Sequence, residues 1–378
     1  MRTASATPSA GTARTLAARL PAFPWDLLAP AKAAAAAHPG GIVDLSIGTP
    51  VDPVPDKVRA ALAAAANSPG YPLTAGTARL REAAAAWLAR DHGVQVSPDA
   101  VLPLIGSKEF IAWLPTMLGC GPEDTVAYPE LAYPTYDIGA RLAGAQPAAT
   151  DHPDRLPAAS VRLAWLNSPS NPTGRVLDSN RVSELVAWSR NSGAVLASDE
   201  CYIDLGFEAT PKSVLHPDCS GESHKGLLAV FSLSKRSNLA GYRAGLVAGD
   251  ADLIGSLREV RKHAGMIVPE PVQAAMTAAL TDDDHAREQY DRYARRRALL
   301  RPALERAGWT VSHSQAGLYL WARHADYDCW ESVSALARLG ILVAAGEFYG
   351  QAGRNHIRVA LTASDERIAA AARRLASY

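Results

Sequence analysis

From residue 42 to about residue 268, short apolar runs alternate with segments whose apolar residues recur at helical spacing. The runs include VLPLI at 101–105, VRLAWL at 161–166 and LLAVF at 227–231, and two more fall near 124–128 and 194–198. Continuous apolar runs of this length are typical of strands covered on both faces, and the helices between them are typical of a mostly parallel sheet. The pattern therefore predicts an α/β fold with helices on both faces of its sheet.

The alternation changes after about residue 268. A long arginine-rich helical pattern at about 285–307 is followed by apolar runs mixed with shorter helical patterns. The 378 residues also exceed the usual size of one domain. We predict a large domain at 49–267, a smaller α+β domain at 268–378, an arm at 26–48 that joins the small domain, and a disordered tail at 1–25, which contains no acidic residue.

Charge and cysteine content limit the function classes. Lys plus Arg and Asp plus Glu both number 38, so no net charge would attract nucleic acid or an anionic membrane. The four cysteines form no C-x-x-C pair and the histidines no H-E-x-x-H, so neither a disulfide framework nor a metal site is expected. The alanine run at 31–37 is too short to span a bilayer, which takes roughly 20 apolar residues. We expect a cytoplasmic protein with a small, neutral or zwitterionic ligand.

A lysine follows one of the apolar runs directly. The run at 227–231 leads into Ser232, Ser234 and Lys235, with no carboxylate nearby in the sequence. A lysine at the end of a buried strand can be partly desolvated, which favours the free amine that attacks carbonyl carbons. For a lysine alone, a surface position with the amine in water would be the better interpretation.

Other polar residues also follow predicted strands. Asp199 ends the run at 194–198, where ligands bind in open α/β sheets, although an isolated Asp is more often a helix cap. The Asn-Pro-Thr-Gly turn at 171–174 and the Gly-Ser-Lys turn at 106–108 follow two further runs. The second of these could offer backbone N–H groups to a phosphate, but a glycine there is common for steric reasons alone. Tyr133 and Tyr136 would by default only pack a turn.

Taken together, these motifs have a family resemblance. The string SLSKRSNLAGYRAG at 232–245, with NPTG at 171–174 and SDECY at 198–202, resembles the class I/II aminotransferases of fold type I, the aspartate aminotransferase superfamily. The resemblance extends from about residue 42 to 376. It implies a pyridoxal 5′-phosphate (PLP) cofactor, amino acid and keto acid substrates, a large PLP-binding domain with a smaller α+β domain, and a homodimer.

The resemblance also implies a role for each matching residue. Lys235 would be bonded to PLP and later carry a proton, Asp199 would keep the pyridine nitrogen protonated, and Asn171 and Tyr202 would contact the phenolic oxygen O3′. Tyr133 would stack on the pyridine ring. The remaining cofactor residues would hold the phosphate: Gly106, Ser107, Lys108, Ser232, Ser234, Arg243 and, from the partner subunit, Tyr71.

Arg358 is the candidate for the substrate carboxylate. It lies in the apolar run IRVALT, where a guanidinium is costly unless it is paired. A buried salt bridge explains it as well as ligand binding does, but the superfamily has its α-carboxylate arginine in such a strand. Gly48 and Asn171 also match substrate-binding positions, and Gly317 and Phe348 match residues that line the pocket.

The stretches FPWD, GYPLTAG and RKHAGM resemble, more narrowly, actinobacterial N-succinyldiaminopimelate aminotransferases of lysine biosynthesis. This implies glutamate as donor and a second cation for the distal carboxylate. Lys262 is the candidate and Lys108 its competitor, while an exposed cation at a helix end would also explain Lys262.

Other functions stay open at this point. An aminotransferase of aspartate, aromatic or alanine type and a PLP-dependent Cβ–S lyase would share the cofactor residues. A PLP-binding transcription regulator would need a DNA-binding domain, for which the tail is too short, and a catalytically silent binding protein is disfavoured by Lys235.

Overall fold

The computed structural model describes residues 15–378. Up to residue 280 its helices and strands are, in chain order, α1 (Ala29–Ala36), β1 (Val43–Asp44), α2 (Asp56–Ala64), α3 (Ala78–His92), β2 (Val101–Ile105), α4 (Ser107–Met117), β3 (Thr125–Tyr128), α5 (Thr135–Ala143), β4 (Gln146–Ala149), β5 (Val161–Asn167), α6 (Ser179–Ser192), β6 (Val195–Asp199), α7 (Pro217–Ser220), β7 (Leu227–Ser232), α8 (Leu233–Arg236), β8 (Ala244–Gly249), α9 (Ala251–Ala264) and α10 (Glu270–Leu280). The rest are α11 (Asp283–Arg306), β9 (Trp309–Ser312), β10 (Tyr319–His324), α12 (Cys329–Arg338), β11 (Ile341–Leu342), β12 (Ala344–Ala345), β13 (Ile357–Ala360) and α13 (Asp365–Leu375).

The large lobe is built on a seven-stranded sheet in the order β2-β8-β7-β6-β5-β3-β4. Strands β3 to β7 run parallel, and β8 is antiparallel to both of its neighbours. Every residue of β6 and β7 is buried, because helices pack on both faces of the sheet and form a separate apolar cluster on each. The predicted α/β fold with a mostly parallel, helix-covered sheet is confirmed, and the five predicted strands lie within two residues of the observed ones.

Parallel strands bring three polar residues to one edge of this sheet. Asn167 ends β5, Asp199 ends β6 and Ser232 ends β7. Asn167 pairs with Asp199 in the register of β5 and β6, and β7 follows as the next neighbour. Since the carboxyl ends of parallel strands meet at the same edge, residues that follow neighbouring strands are adjacent in space although they are more than 30 positions apart in the chain.

The small lobe is an antiparallel sheet, β12-β13-β10-β9, covered by α11, α12 and α13. The segment before the large lobe joins it: β1 pairs in parallel with β11, and Ala35 of α1 packs with Ala337 and Leu342. Helix α10, which the predicted division places with the small domain, packs on α2 and α3 of the large lobe instead. This packing favours a domain division after residue 280.

The predicted tail at 1–25 divides into two parts. Residues 1–14 lie outside the described chain. Residues 16–19 and 24–28 form short 3-10 helices, and the Trp25 ring packs on Phe348 and Tyr349 of the small lobe. The part of the tail that the structure describes is therefore folded: residues 16–19 lie against α5 of the large lobe, and Trp25 lies against the small lobe. None of the helices within 15–378 is long and apolar enough to cross a membrane, and over the same residues no cluster of His, Cys, Asp and Glu could hold a metal ion.

A buried ion pair joins the two lobes. Arg296 of α11 is 3% exposed and donates hydrogen bonds to both carboxylate oxygens of Asp52, at 2.6 and 2.8 Å, and to Asp365 of α13 at 2.6 Å. Burial acts to raise the pKa of Asp52, but hydrogen bonds from Arg296 and Gln289 outweigh it, so the pKa lies below its usual value.

We expect Asp52→Asn to lower the free energy of unfolding by about 2 kcal/mol at pH 7, because it removes a hydrogen-bonded charge from a buried guanidinium. A carboxyl whose pKa is lowered by folding stabilises the fold above its unfolded pKa of 3.8 and loses this contribution as the pH falls through the lower folded value. The difference between variant and wild type should therefore shrink below about pH 4. Urea unfolding at several pH values measures it; a difference that stays constant down to pH 2 would contradict the assignment. Asp56→Asn, an exposed carboxylate, is the matched control.

Candidate active site

The sheet edge faces the small lobe across a cavity of about 1090 Å³. Thirteen residues that the sequence singled out line it: Gly48, Ser107, Lys108, Tyr133, Asn171, Asp199, Tyr202, Ser232, Ser234, Lys235, Arg243, Phe348 and Arg358. Gly106 lies directly behind the lining. One cavity therefore collects residues from both lobes whose positions in the sequence range from 48 to 358.

Lys235 lies on the one-turn helix α8, immediately after β7. Ser232 caps this turn by accepting a hydrogen bond from the backbone N–H of Ser234 at 3.2 Å. The Lys235 ammonium donates to the backbone carbonyl of Gly48 at 2.5 Å and has no carboxylate partner among the described residues. Burial lowers the pKa of the Lys235 amine, as the sequence predicts for a desolvated lysine. This amine is suited to attack a carbonyl carbon or to accept a proton.

Asp199 is a buried carboxylate at the end of β6. It accepts hydrogen bonds from the Tyr136 hydroxyl at 2.8 Å and from the Cys201 backbone N–H at 3.1 Å, and it forms no ion pair within the part of the chain that the structure describes. Burial raises its pKa, although the hydrogen bonds from Cys201 and Tyr136 act in the opposite direction. A carboxylate of this kind is stabilised by a cationic ligand group in the cavity.

Arg358 is a buried guanidinium without an acidic partner. It is 2% exposed and donates to Asn171 Oδ1 at 3.0 Å and to the Ser46 carbonyl at 2.7 Å, while its Nε has no hydrogen-bond partner among the described residues. The rings of Tyr319 and Tyr349 lie close to it, with their centroids 3.9 and 4.9 Å from its central carbon. The buried salt bridge that the sequence left open is thus not formed in residues 15–378, and the geometry favours an anionic ligand.

A second group of donors surrounds the N-terminus of α4. Gly106 has φ +76°, and a Cβ there would lie 2.4 Å from an Arg243 nitrogen, so only glycine lets the guanidinium approach this turn. Ser107 begins the helix, and the hydroxyls of Ser232 and Ser234 line the same cavity. Backbone N–H groups, hydroxyls and one arginine at a helix N-terminus form a suitable site for a phosphate dianion.

Besides Gly106, three of the sequence candidates do not line this cavity, namely Gly317, Lys262 and Tyr71. The Lys262 side chain is 64% exposed near the end of α9, with its ammonium 3.9 Å from Glu259. Tyr71 is fully exposed. Lys108, by contrast, lines the cavity with its ammonium 5.9 Å from the centre of the Tyr133 ring, and it has no ion pair among the described residues. Among the described residues, Lys108 is therefore the cation that lines the cavity in addition to Lys235, Arg243 and Arg358.

Sequence reasoning misses several residues of the site. It gives Tyr136 only a packing role, although this residue hydrogen-bonds Asp199, and Phe23 and Trp25 line the cavity from the predicted tail. Tyr319 and Tyr349 flank Arg358. The signal for Tyr319 is its place in the apolar run AGLYLW beside Gly317, while nothing in the local sequence indicates the position of Phe23.

Comparison with known proteins agrees with this geometry. The family model "Aminotransferase class I and II" matches residues 41–375. A "4-dedimethylamino-4-oxo-anhydrotetracycline transaminase OxyQ" of Streptomyces rimosus is 61% identical over 94% of this chain and 99% of that protein. A "probable aminotransferase" of Mycobacterium tuberculosis is 60% identical over 95% of this chain and 86% of that protein. The structure of a "probable N-succinyldiaminopimelate aminotransferase" from Thermus thermophilus is 30% identical with a TM-score of 0.85, covering 94% of this chain and all of that one.

Proposed function

We infer the reaction from one premise: the chain belongs to the class I and II aminotransferases, PLP-dependent enzymes that transfer an amino group between an amino acid and a keto acid. The residues of the cavity fit this cofactor. Asp199 is a buried carboxylate suited to the pyridinium nitrogen, Lys235 is a desolvated amine suited to the aldehyde, and the donors around the start of α4 suit the phosphate. We assign Tyr133 to the ring face, and Asn171 and Tyr202 to O3′.

When bound, PLP supplies an electron sink that stabilises negative charge at the substrate Cα. We propose that the Lys235 amine, once free, would take the proton from the substrate Cα and deliver it to the cofactor carbon C4′. Its lowered pKa is suited to this proton transfer. Arg358 holds the α-carboxylate, and the small lobe and residues 20–25 exclude water from the cavity.

We propose glutamate as donor and N-succinyl-2-amino-6-oxopimelate as acceptor. Four cations line this cavity without an acidic partner among residues 15–378, and Lys235 and Arg243 are assigned to the cofactor. The observation that carries this proposal is that two cations, Arg358 and Lys108, are left for the substrate. Both substrates have a carboxylate far from the reacting carbon, which a second cation would bind. The likeness to the Thermus thermophilus protein supports the same acceptor.

A second candidate is a large fused-ring ketone, such as the name of the Streptomyces rimosus relative indicates for that protein. The aromatic wall of the cavity favours it, because Phe23, Trp25 and Phe348 offer ring faces to a planar substrate. A volume of about 1090 Å³ also leaves room for a ligand larger than a short keto acid.

The experiment that decides is a comparison of acceptors with purified enzyme, PLP and glutamate: the succinylated oxopimelate, pyruvate, an aromatic keto acid and a tetracyclic ketone. The first proposal predicts the highest kcat/KM for the succinylated acceptor. A preference for the aromatic or tetracyclic substrate would overturn it in favour of the second candidate. Release of pyruvate and ammonia from a cysteine conjugate, without any acceptor, would instead indicate a Cβ–S lyase.

Lys108→Ala should lower kcat/KM for the succinylated acceptor about 10-fold more than for pyruvate, because only the longer substrate has a distal carboxylate to lose. Lys262→Ala is the matched control: the same change on an exposed helix end should leave the ratio unaltered. Steady-state rates with both acceptors give the ratio. Equal losses for long and short acceptors in Lys108→Ala would exclude this contact, and a selective loss in Lys262→Ala would show that a partner subunit brings Lys262 to the site.

We also propose a homodimer in which Tyr71 reaches the cofactor phosphate of the partner subunit. Four of the large exposed apolar side chains fall within residues 47–73, namely Ile47, Val51, Tyr71 and Leu73, and a surface of this kind is typical of an interface. Tyr71→Phe should raise the dissociation constant for PLP roughly 3- to 10-fold through the loss of one hydrogen bond. Sedimentation and PLP titration test the two parts; a fully active monomer would contradict the proposal.

A further inference from the structure

Tyr319, one of the two tyrosines beside Arg358, also contacts Tyr202, which we assign to the cofactor. Tyr319 begins β10, is 4% exposed and lines the cavity. In the register of the small-lobe sheet Trp321 pairs with Arg358 and Tyr319 with Ala360, so Tyr319 and Arg358 are diagonal neighbours on the same face. This diagonal placement brings the ring over the guanidinium.

The ring contact replaces a counter-ion. The central carbon of Arg358 lies 3.9 Å from the centre of the Tyr319 ring, and Tyr349 flanks it at 4.9 Å. A guanidinium over an aromatic face is attracted by the negative face of the ring, and more strongly when it is desolvated. Since the two hydrogen-bond acceptors of Arg358 are an amide and a backbone carbonyl, the rings hold the cation without neutralising it. Its charge stays available for a carboxylate.

The hydroxyl of Tyr319 lies between the Tyr202 hydroxyl and Gly48. It is 3.1 Å from the Tyr202 hydroxyl, and the two rings meet edge to face with 5.8 Å between their centres. A Cβ on Gly48 would lie 2.1 Å from this hydroxyl, so glycine at 48 provides the space for it. The carbonyl of that same Gly48 accepts the hydrogen bond of the Lys235 amine. A phenylalanine would fill the apolar cluster around the ring equally well, which leaves the hydroxyl unexplained by packing.

We propose that Tyr319 is a positioning residue with two functions: its ring orients Arg358 for the substrate carboxylate, and its hydroxyl orients the Tyr202 phenol toward the cofactor. The proposal rests on the proposed roles of Arg358 and Tyr202, but not on the identity of the acceptor. It makes the carboxylate site and the cofactor site share one side chain.

The test separates ring from hydroxyl. Tyr319→Phe keeps the ring, so the KM values for glutamate and for the acceptor should change by less than about 3-fold. The kcat should fall roughly 3- to 10-fold through loss of one hydrogen bond. The pKa of the visible absorption band of bound PLP should rise by up to about half a unit, because a Tyr202 that has lost this partner is a weaker donor to O3′. Tyr319→Leu should in addition raise both KM values roughly 5- to 30-fold.

A binding measurement without turnover completes the test. Glutarate, which has carboxylates but neither amine nor ketone, should bind to the PLP-loaded Tyr319→Phe protein as it does to wild type, and at least about 5-fold more weakly to Tyr319→Leu, as measured by calorimetry. The matched control is Tyr327→Phe, which removes a hydroxyl from another tyrosine pair, Tyr327 and Tyr378, outside the cavity. It should leave both the band and glutarate binding unaltered.

An unchanged band and kcat in Tyr319→Phe would overturn the function of the hydroxyl, and unchanged glutarate binding in Tyr319→Leu would overturn that of the ring. If Tyr319→Leu fails to fold, Tyr319→Met, which keeps an apolar side chain of similar length without a ring, takes its place. If the wild-type enzyme turns over every acceptor slowly, the proposed acceptor is contradicted. The inference on Tyr319 still holds in that case if glutarate binds to wild type and Tyr319→Phe alike and more weakly to Tyr319→Leu.

Discussion

Lys235→Ala is expected to lose transamination almost completely, with a fall in kcat of at least about 10³-fold, because one amine is assigned both the bond to the cofactor and the proton transfer at Cα. The variant should still bind PLP, since the phosphate donors around the start of α4 and the Asp199 carboxylate are untouched. Borohydride reduction followed by mass spectrometry should add the cofactor mass to the wild-type chain and not to the variant.

The matched control is Lys225→Ala, an exposed lysine ten positions earlier, before β7. It should keep the wild-type rate and the mass increase. Wild-type rates in Lys235→Ala would remove the basis of the proposed mechanism, and a mass increase that persists would show that PLP is bonded to another lysine.

Arg358→Lys is expected to raise the KM for donor and acceptor together, roughly 30- to 1,000-fold. This corresponds to a loss of about 2 to 4 kcal/mol of binding free energy for the carboxylate. A lysine keeps the charge but cannot offer two parallel N–H donors to a carboxylate. It also leaves Asn171 Oδ1 and the Ser46 carbonyl without the donors that they have now. Both half-reactions use the same anchor, so the two constants should rise by similar factors.

Initial rates over a matrix of glutamate and acceptor concentrations measure both constants. Arg354→Lys, an exposed arginine four positions earlier, is the control and should change neither. A loss for only one of the two substrates would show that the carboxylate of the other is held elsewhere in the cavity.

Much of the fold and of the site can be predicted because the signals are local. The apolar runs at 161–166 and 227–231 identify strands, and polar residues at the ends of parallel strands meet by topology. For this reason the sequence alone predicts that Asp199 and Lys235 lie close together.

What cannot be predicted depends on contacts between distant parts of the chain. Trp25 reaches the cavity by packing with Phe348, more than 300 residues away, and Phe23 stacks on Trp25. An acid-free N-terminal stretch gives no local sign of these contacts. Helix α10 has the same amphipathic pattern whether it packs on one lobe or the other. Lys262 and Lys108 are both lysines near a helix end, and only the packing of α4 and α9 decides which one lines the cavity.

The short segment before the large lobe has a mechanical consequence. Hydrogen bonds attach it to the small lobe, where the Leu45 N–H donates to Leu342 and the Ala360 N–H donates to Leu45. Three residues later, the Gly48 carbonyl accepts from Lys235 of the large lobe at 2.5 Å. A rotation of the small lobe that carried this segment with it would change the distance between the Gly48 carbonyl and the Lys235 amine, so the same segment links the position of the small lobe to the surroundings of that amine.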